Sequence, residues 1–270
     1  MINRHLLSYR HRFYRHLFVL SVLVVACLAL PFPWHRMGAL GTMLLVLLLA
    51  IELGQPIRAR QSRSHWNDGA YRRAGILALL LETLWISSPG QFAFIGFPVL
   101  IVTTVFIAWS LRRLLICLGQ EKRVGMDVLG GAVAGYLLLG ISGGLLFSVL
   151  ETIAPGSFVD HADKGQELLL SGLASDAAGF RIWDLNFSRI HYFAFVSLTT
   201  VGYGDIIPAT SVSQFLSVSL SICGPLYLAI VMGLLISRYT IQGEEEQQVR
   251  QRGSAAPGPP PHSGADSDDR

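Results

Sequence analysis

The hexapeptide TVGYGD, Thr200 to Asp205, brings together two glycines, a tyrosine and an aspartate late in the chain. Gly202 and Gly204 can take backbone angles closed to other residues, which lets successive carbonyl oxygens point in one direction. A row of such oxygens is a suitable ligand for a dehydrated monovalent cation, because each carries partial negative charge without the cost of a buried carboxylate. Thr200 adds a hydroxyl oxygen at the inner end. These residues therefore indicate that a cation binds through backbone oxygens.

The segment before the hexapeptide, RIHYFAFVSLTT, has an apolar pattern compatible with a helix but is too short to cross a bilayer, which needs about 20 residues. We predict a re-entrant half-helix that turns its C-terminal, partially negative end toward an ion path. Non-helical backbone is tolerated at membrane depth only where it is buried in protein or lines a wet path. The hexapeptide is therefore expected to line such a path. The aromatic residues that brace it from behind are Tyr203 itself and Tyr192, Phe193 and Phe195 of the half-helix.

The composition is typical of a protein that crosses a membrane several times. Of 270 residues, 51% are hydrophobic and only 14% are charged, and the mean hydropathy is +0.48. Cys27, Cys117 and Cys223 all lie in apolar runs, so neither a disulfide framework nor a zinc site is predicted. A net charge of +3 is too small to indicate nucleic-acid binding. Because the sequence has no HExxH or Walker A motif and no clustered His/Cys set, we predict no enzyme activity and no cofactor.

Six apolar segments are predicted to span the membrane. They are Leu17 to Phe32, Met37 to Leu53, Ala74 to Ile86, Phe92 to Leu111, Met126 to Leu150 and Val212 to Ser237. The third is short and carries Glu82, but without it the flanking charges do not sort to opposite sides. With it, the arginines before the first span, between the second and third, and after the fourth share one side. By the positive-inside rule, both termini are cytoplasmic and the protein lies in the plasma membrane.

The N-terminus also allows a different reading, as a signal peptide. A basic stretch precedes the first apolar run, and VVAC, Val24 to Cys27, resembles a lipoprotein cleavage site. Cleavage there would leave the second span in the wrong orientation relative to the arginines between Arg58 and Arg73. We therefore expect the first span to remain uncut.

The sequence TTVGYGD, Thr199 to Asp205, resembles the selectivity-filter signature of potassium channels, and YFAFVSL before it resembles their pore helix. The resemblance covers about Met126 to Tyr239, which corresponds to the outer helix, pore loop and inner helix of that family. It implies that Asp205 lies at the outer mouth and that Thr199 and Gly204 support the loop. The residues implied to coordinate K+ are Thr200, Val201, Gly202 and Tyr203.

The resemblance also implies a fold and an assembly. The fold class is an all-α membrane protein with six transmembrane helices, a re-entrant pore helix and a selectivity filter. Because one pore loop forms only one wall of a conduit, the family's arrangement is a homotetramer around a four-fold axis. The implied partners are K+, which permeates passively, and membrane lipids. Two alternatives stay open: a nonselective cation channel, and a non-conducting regulatory or transporter subunit that retains a pore-loop fold.

The predicted organisation has five parts. They are a basic cytoplasmic N-terminus (1–16), a four-helix membrane domain (17–111), a cytoplasmic linker (112–125), a pore domain (126–239) and a cytoplasmic tail (240–270). The tail is rich in proline, glycine, serine and aspartate, so we predict that it is disordered after a short helical extension through Arg252.

The sequence departs from the family in two places. Some prokaryotic members have a carboxylate in the pore helix against the filter aspartate, where this chain has Val196, so behaviour that depends on that carboxyl pair is not implied here. Voltage sensors in the larger family carry a basic residue at every third position of the fourth span. Here the first basic residues of that span are Arg112 and Arg113, at its cytoplasmic end. The four-helix domain is therefore predicted not to sense voltage.

Some span residues allow two readings. Gly224 and Pro225, in the last span, form either a gating hinge or a static kink. Glu52 and Glu82 are either counter-charges or acids near span ends that reach headgroup water, and the second reading is preferred.

No functional role is predicted for two histidines and a set of glycines. His161 and His191 are expected to be solvated on the outer side of the membrane. The small-residue faces Gly131 to Gly135 and Gly140 to Gly144 are expected to allow close helix packing.

Overall fold

The computed structural model describes residues 2–28, 36–53, 65–87, 96–121, 124–160 and 187–254. In chain order the elements are α1 (Ile2–Leu28), α2 (Arg36–Glu52), α3 (His65–Ser87), α4 (Gly96–Gly119), α5 (Met126–Ile153), β1 (Phe158–Asp160), α6 (Phe187–Leu198), β2 (Ile206–Pro208), α7 (Ser211–Tyr227) and α8 (Gly233–Ser254). A π-helical turn, Leu228–Met232, joins α7 to α8.

Three helical segments among the described residues are long and apolar enough to cross a membrane. They are Phe97–Gly119, Met126–Ile153 and Ser211–Glu245, and a shorter apolar helical stretch covers Gly41–Ile51. The protein is therefore a membrane protein whose described part is mostly helical. The count of six spans stays a prediction, because length and composition single out only the segments at the fourth, fifth and sixth predicted positions.

Helix α5 is the centre of the packing. It contacts α1 and α4 on one side and α6 and α7 on the other. One hydrophobic core links α1 to α5 through fully buried side chains such as Leu17, Leu49, Phe106 and Leu138. A Cβ added at Gly131 would meet the ring of Tyr14, so this glycine lets α1 lie close against α5. The glycine faces of α5 thus serve packing within a single chain.

One acidic side chain of the four-helix region is more buried than the sequence suggested. Glu82 is only 6% exposed and accepts a hydrogen bond from Thr103 at 3.1 Å. The preferred reading, an acid that reaches headgroup water, is wrong for this residue because Glu82 faces α4. The side chain of Glu52 lies outside the described residues.

Arg113, near the end of α4, is held in place by groups on α3. Its Nη2 lies 2.7 Å from Asp68 Oδ1, and its guanidinium lies 4.5 Å from the centre of the Tyr71 ring. The Tyr71 hydroxyl in turn lies 2.7 Å from Ser110 Oγ on α4. Arg112, its neighbour, is exposed. An ion pair and a cation–π contact, both made by Arg113, thus hold α4 against α3.

Two elements differ from the predicted outline. Strands β1 and β2 form an antiparallel pair with Phe158 opposite Pro208 and Asp160 opposite Ile206, although the all-α prediction contains no strand. The extended backbone that follows the TVGYGD loop pairs with β1, and Phe158 and Ile206 are both buried. Helix α8 continues to Ser254, two residues beyond Arg252, where the predicted helical extension of the tail ends. Residues 255–270 lie outside the described residues.

The last helix is tied to the segment between α4 and α5. Arg238 Nη1 donates to the carbonyl oxygens of Gly119 at 3.3 Å and Glu121 at 3.4 Å. The backbone N–H of Val124 donates to Gln242 Oε1 at 3.0 Å. These bonds connect α8 to the linker that leads into α5.

Candidate functional site

The short helix α6 positions the TVGYGD loop. It spans Phe187–Leu198, where the sequence predicts the half-helix. The backbone N–H groups of Thr199, Thr200 and Val201 donate back to the carbonyls of Phe195, Ser197 and Val196, at 2.9, 3.0 and 3.0 Å. The first residues of the loop are therefore bound to the end of α6, and the direction in which the loop leaves the helix is fixed.

The backbone of the loop reverses its conformation at every second residue. Thr200, Gly202 and Gly204 have φ angles of +59°, +60° and +79°. In an ordinary strand, successive peptide groups face alternate sides, so a reversal at every second residue is what a one-sided row of carbonyls requires. Thr200 is β-branched, and a positive φ there costs on the order of 1–3 kcal/mol. Its N–H bond to Ser197 and its hydroxyl bond to the Thr199 carbonyl, at 2.7 Å, hold it in that state.

Among the described residues, the two glycines of the loop face open space. A Cβ built at Gly202 or Gly204 meets no atom within 4 Å. Their positive φ angles, rather than crowding inside the chain, are thus the local reason for glycine at both positions. The side chains of Val201 and Tyr203 are 51% and 71% exposed.

The aromatic residues of α6 have different roles. The ring of Tyr192 stacks on that of Tyr203, with centroids 6.4 Å apart and planes within 2°. Phe193 instead packs between Phe147 of α5 and Phe158 of β1, at 5.6 and 5.4 Å. Tyr192 thus contacts the loop directly, whereas Phe193 anchors the helix that carries it.

The sequence did not indicate an ion-pair cluster at the outer end of the loop. Arg189, in the first turn of α6, lies 2.6 Å from Asp160 and 3.6 Å from Asp205, measured from Nη2 to the Oδ2 atoms. No local signal could have found the pair, because 29 residues separate its members.

A second missed residue, Glu151, closes the turn that precedes β1. It is fully buried, and its two carboxylate oxygens accept from the N–H groups of Gly156 at 2.8 Å and Phe158 at 3.0 Å. The backbone carbonyl of Ser157 accepts from the N–H of Ala209, just after β2. The turn, β1 and β2 therefore form one hydrogen-bonded unit beside the loop.

His191 is buried rather than solvated. It is 3% exposed, its Nδ1 lies 2.8 Å from the carbonyl oxygen of Phe187, and its ring fills the space above Gly144. The expectation of an outer, solvated histidine is wrong here because this face of α6 packs on α5. His161 lies outside the described residues.

Gly224 and Pro225 lie where the last helix passes the end of α6. A Cβ at Gly224 would collide with the carbonyl oxygen of Leu198, so the close approach of α7 to α6 requires glycine. Pro225 removes one helical hydrogen bond, and the N–H of Leu228 is shared between the carbonyls of Gly224 and Pro225. The π-helical turn follows directly. The glycine therefore has a packing reason in addition to either predicted reading, hinge or kink.

Comparison with known proteins agrees with the geometry of this region. Residues 167–240 match a protein-family model described as an ion channel, so this part of the chain is similar to ion channel domains. A stretch of 49 residues is 33% identical to a protein of Rhodopseudomonas palustris named "Putative potassium channel protein". That match covers 18% of this chain and 12% of the relative, so the chain matches about an eighth of that relative's length. The resemblance to the potassium channel family, drawn from TTVGYGD, is confirmed.

Proposed function

We propose that this chain is one subunit of a potassium-selective channel that conducts K+ passively across the plasma membrane. The observation that carries the proposal is the TVGYGD loop itself, which leaves a short helix and has positive φ at Thr200, Gly202 and Gly204. The ion channel domain matched over residues 167–240 contains the whole loop.

The ligands in this proposal are oxygens. Carbonyls of Thr200, Val201, Gly202 and Tyr203, with the Thr200 hydroxyl, replace the hydration shell of K+. The C-terminal end of α6 adds a partial negative charge at the inner side of the loop. K+ is the permeant ion and no covalent chemistry is involved. Thr199, Gly204 and Asp205 support the loop, and Tyr192 braces Tyr203.

A homotetramer would complete the conduit. Among the described residues, a Cβ built at either glycine of the loop meets no neighbour, and apolar residues on α7 such as Phe215 and Val218 are 69% and 59% exposed. A row of such side chains needs an apolar neighbour, which lipid or a second copy supplies. Four copies around an axis would cover the loop and part of α7, while exposed residues of α1 and α3 such as Leu23 and Leu80 would face lipid.

The proposed topology has six spans with both termini cytoplasmic. Its support is the distribution of arginines, which lie in the first half of α1, on either side of the start of α3, and in the last third of α4. The linker after α4 and helix α8 then lie on the same, cytoplasmic side, in agreement with the hydrogen bonds between Arg238 and that linker.

The test is a recording of the purified full chain in planar bilayers with K+ on one side and Na+ on the other. We expect the reversal potential to lie near that of K+. A reversal near zero would identify a nonselective cation channel instead. Intact tetramers that carry no current under any condition would favour a non-conducting subunit.

A further inference from the structure

Arg189 contacts three groups that belong to three different parts of the outer mouth. Its Nε and Nη2 both lie close to Asp160 Oδ2, at 2.8 and 2.6 Å, and Asp160 ends β1. Its Nη2 lies 3.6 Å from Asp205 Oδ2, at the end of the TVGYGD loop. Its guanidinium lies 5.3 Å from the centre of the Tyr192 ring, which stacks on Tyr203. One side chain thus bridges the loop, the short helix and the strand.

The strand side of this bridge is rigidly held. Asp160 is opposite Ile206 in the β1–β2 pair, and Ile206 directly follows Asp205. The turn before β1 is fixed by the two hydrogen bonds to Glu151. The Asp160 side chain is only 8% exposed, so solvent screens its pair with Arg189 less than it would a surface pair. Asp160 therefore anchors Arg189 to a fixed point outside the loop.

The loop side of the bridge is strained. The strained residue is Thr200, a β-branched residue with positive φ, and among the described residues a Cβ built at Gly202 or Gly204 would meet no atom within 4 Å. Backbone in such conformations persists only when its surroundings over-determine it. The inner end of the loop has the hydrogen bonds to α6. At the outer end, the contact between Asp205 and Arg189 and the stack on Tyr192 perform the same role.

We propose that Arg189 and Asp160 are positioning residues for the cation-binding loop. Asp160 orients the guanidinium, the guanidinium holds Asp205 and the Tyr192 ring, and these keep the carbonyls of residues 200–203 in the arrangement that binds the ion. The inference rests on the proposed function. It adds that the conducting state of the loop depends on a residue of β1, outside the loop and its helix.

The test uses the full chain in planar bilayers with K+ on both sides and measures the mean duration of conducting periods. We expect Asp160→Asn and Arg189→Gln each to shorten these periods about five-fold, the equivalent of about 1 kcal/mol. The double variant should be no worse than Arg189→Gln alone, because both changes break one bridge. Arg189→Lys should restore part of the duration, since it keeps the charge but not the fork geometry.

A matched control is Asp163→Asn, three residues further along the sequence, which changes the charge by the same amount. It should leave the conducting periods unchanged. Wild-type durations in both Asp160→Asn and Arg189→Gln would overturn the inference, as would single effects that multiply in the double variant. An equal shortening in Asp163→Asn would show that only the general field of the loop acts.

A second measurement separates positioning from simple structural support. The melting temperature of the detergent-solubilised protein is compared in K+ and in Na+, since an ion that binds only the folded state raises it. A structural role alone lowers both temperatures equally, whereas loss of positioning reduces the K+-specific increment. Variants that keep the full K+-specific increment in melting temperature would overturn the inference about Arg189 and Asp160 but not the proposed function. A wild type with neither K+ current nor increment overturns the proposed function together with it.

Discussion

Gly202 holds a backbone angle that few residues with a Cβ adopt. Its φ of +60° lies in the left-handed region, which costs a residue with a Cβ about 1–2 kcal/mol. In the proposed tetramer the loop also meets its copies, so a side chain at this position changes the spacing between the carbonyl oxygens. Gly156, with φ of +79° in the turn before β1, has the same backbone constraint away from the loop. Substitutions at these two glycines can therefore separate the effect of backbone strain from the effect on ion binding.

We expect Gly202→Ala to abolish K+ selectivity or conduction, because the loop relaxes out of its positive φ. Gly156→Ala is the matched control. It should lower thermal stability by a similar amount, about 1 kcal/mol, and keep the reversal potential near that of K+. Bi-ionic reversal potentials and melting temperatures of both variants provide the comparison. Normal selectivity in Gly202→Ala would show that the ion path lies elsewhere.

At the scale of elements, side-chain contacts around Arg113 hold α3 and α4 in a fixed position relative to each other. Arg113 is 7% exposed and held by Asp68 and the Tyr71 ring, and α4 has no other basic residue before Arg112. Steep voltage gating moves about 3–4 charges per subunit through the field, at about 2.3 kcal/mol per charge per 100 mV. An arginine bound in this way at the end of α4 crosses little of that field.

We therefore expect open probability to change only weakly with voltage, in the wild type and equally in Arg113→Gln. That variant should instead lower the stability of the protein by roughly 1.5–3 kcal/mol, since it removes hydrogen bonds to a charged group. Arg112→Gln, at the exposed neighbouring position, should change neither property. Open probability against voltage, with melting curves, measures both effects. A steep sigmoidal curve that becomes shallow in Arg113→Gln would contradict this interpretation of α4.

The sequence predicted local features well and distant contacts poorly. The TVGYGD loop and the short helix before it are contiguous, so composition and length alone indicate both. The burial of Glu82 depends on Thr103 of another helix, and that of His191 depends on the packing of α6 against Gly144. The Arg189–Asp160 pair joins residues far apart in the chain. Such features arise from tertiary packing, and a single sequence has no signal for them.

At the scale of the whole molecule, the proposed tetramer does not depend on residues 255–270. The conduit requires the loops and α7 of four copies, whereas residues 255–270 are rich in proline, glycine and aspartate and have few apolar side chains to contribute to an interface.

Deletion of residues 255–270 should therefore leave tetramers and unitary conductance unchanged. Deletion from residue 234 onward removes α8 and its bonds to the linker, and we expect it to weaken assembly. Native mass spectrometry in detergent and single-channel recording compare the two truncations with the full chain. Monomers after the shorter deletion would show that the tail takes part in assembly.

The bonds between Arg238 and the linker after α4 limit how far the last helix can swing. Gly224 lies against the Leu198 carbonyl. Arg238 is about 14 residues further along the helix, so its backbone is roughly 21 Å from Gly224 at a rise of 1.5 Å per residue. A bend of about 10° at Gly224 would displace Arg238 by roughly 4 Å. Its two hydrogen bonds are 3.3 and 3.4 Å long and would not survive a lengthening of that size. Any such bend must either break these bonds or pull the linker, and α4 with it, in the same direction. The four-helix domain then acts as a mechanical load on the last helix even without charges that respond to voltage.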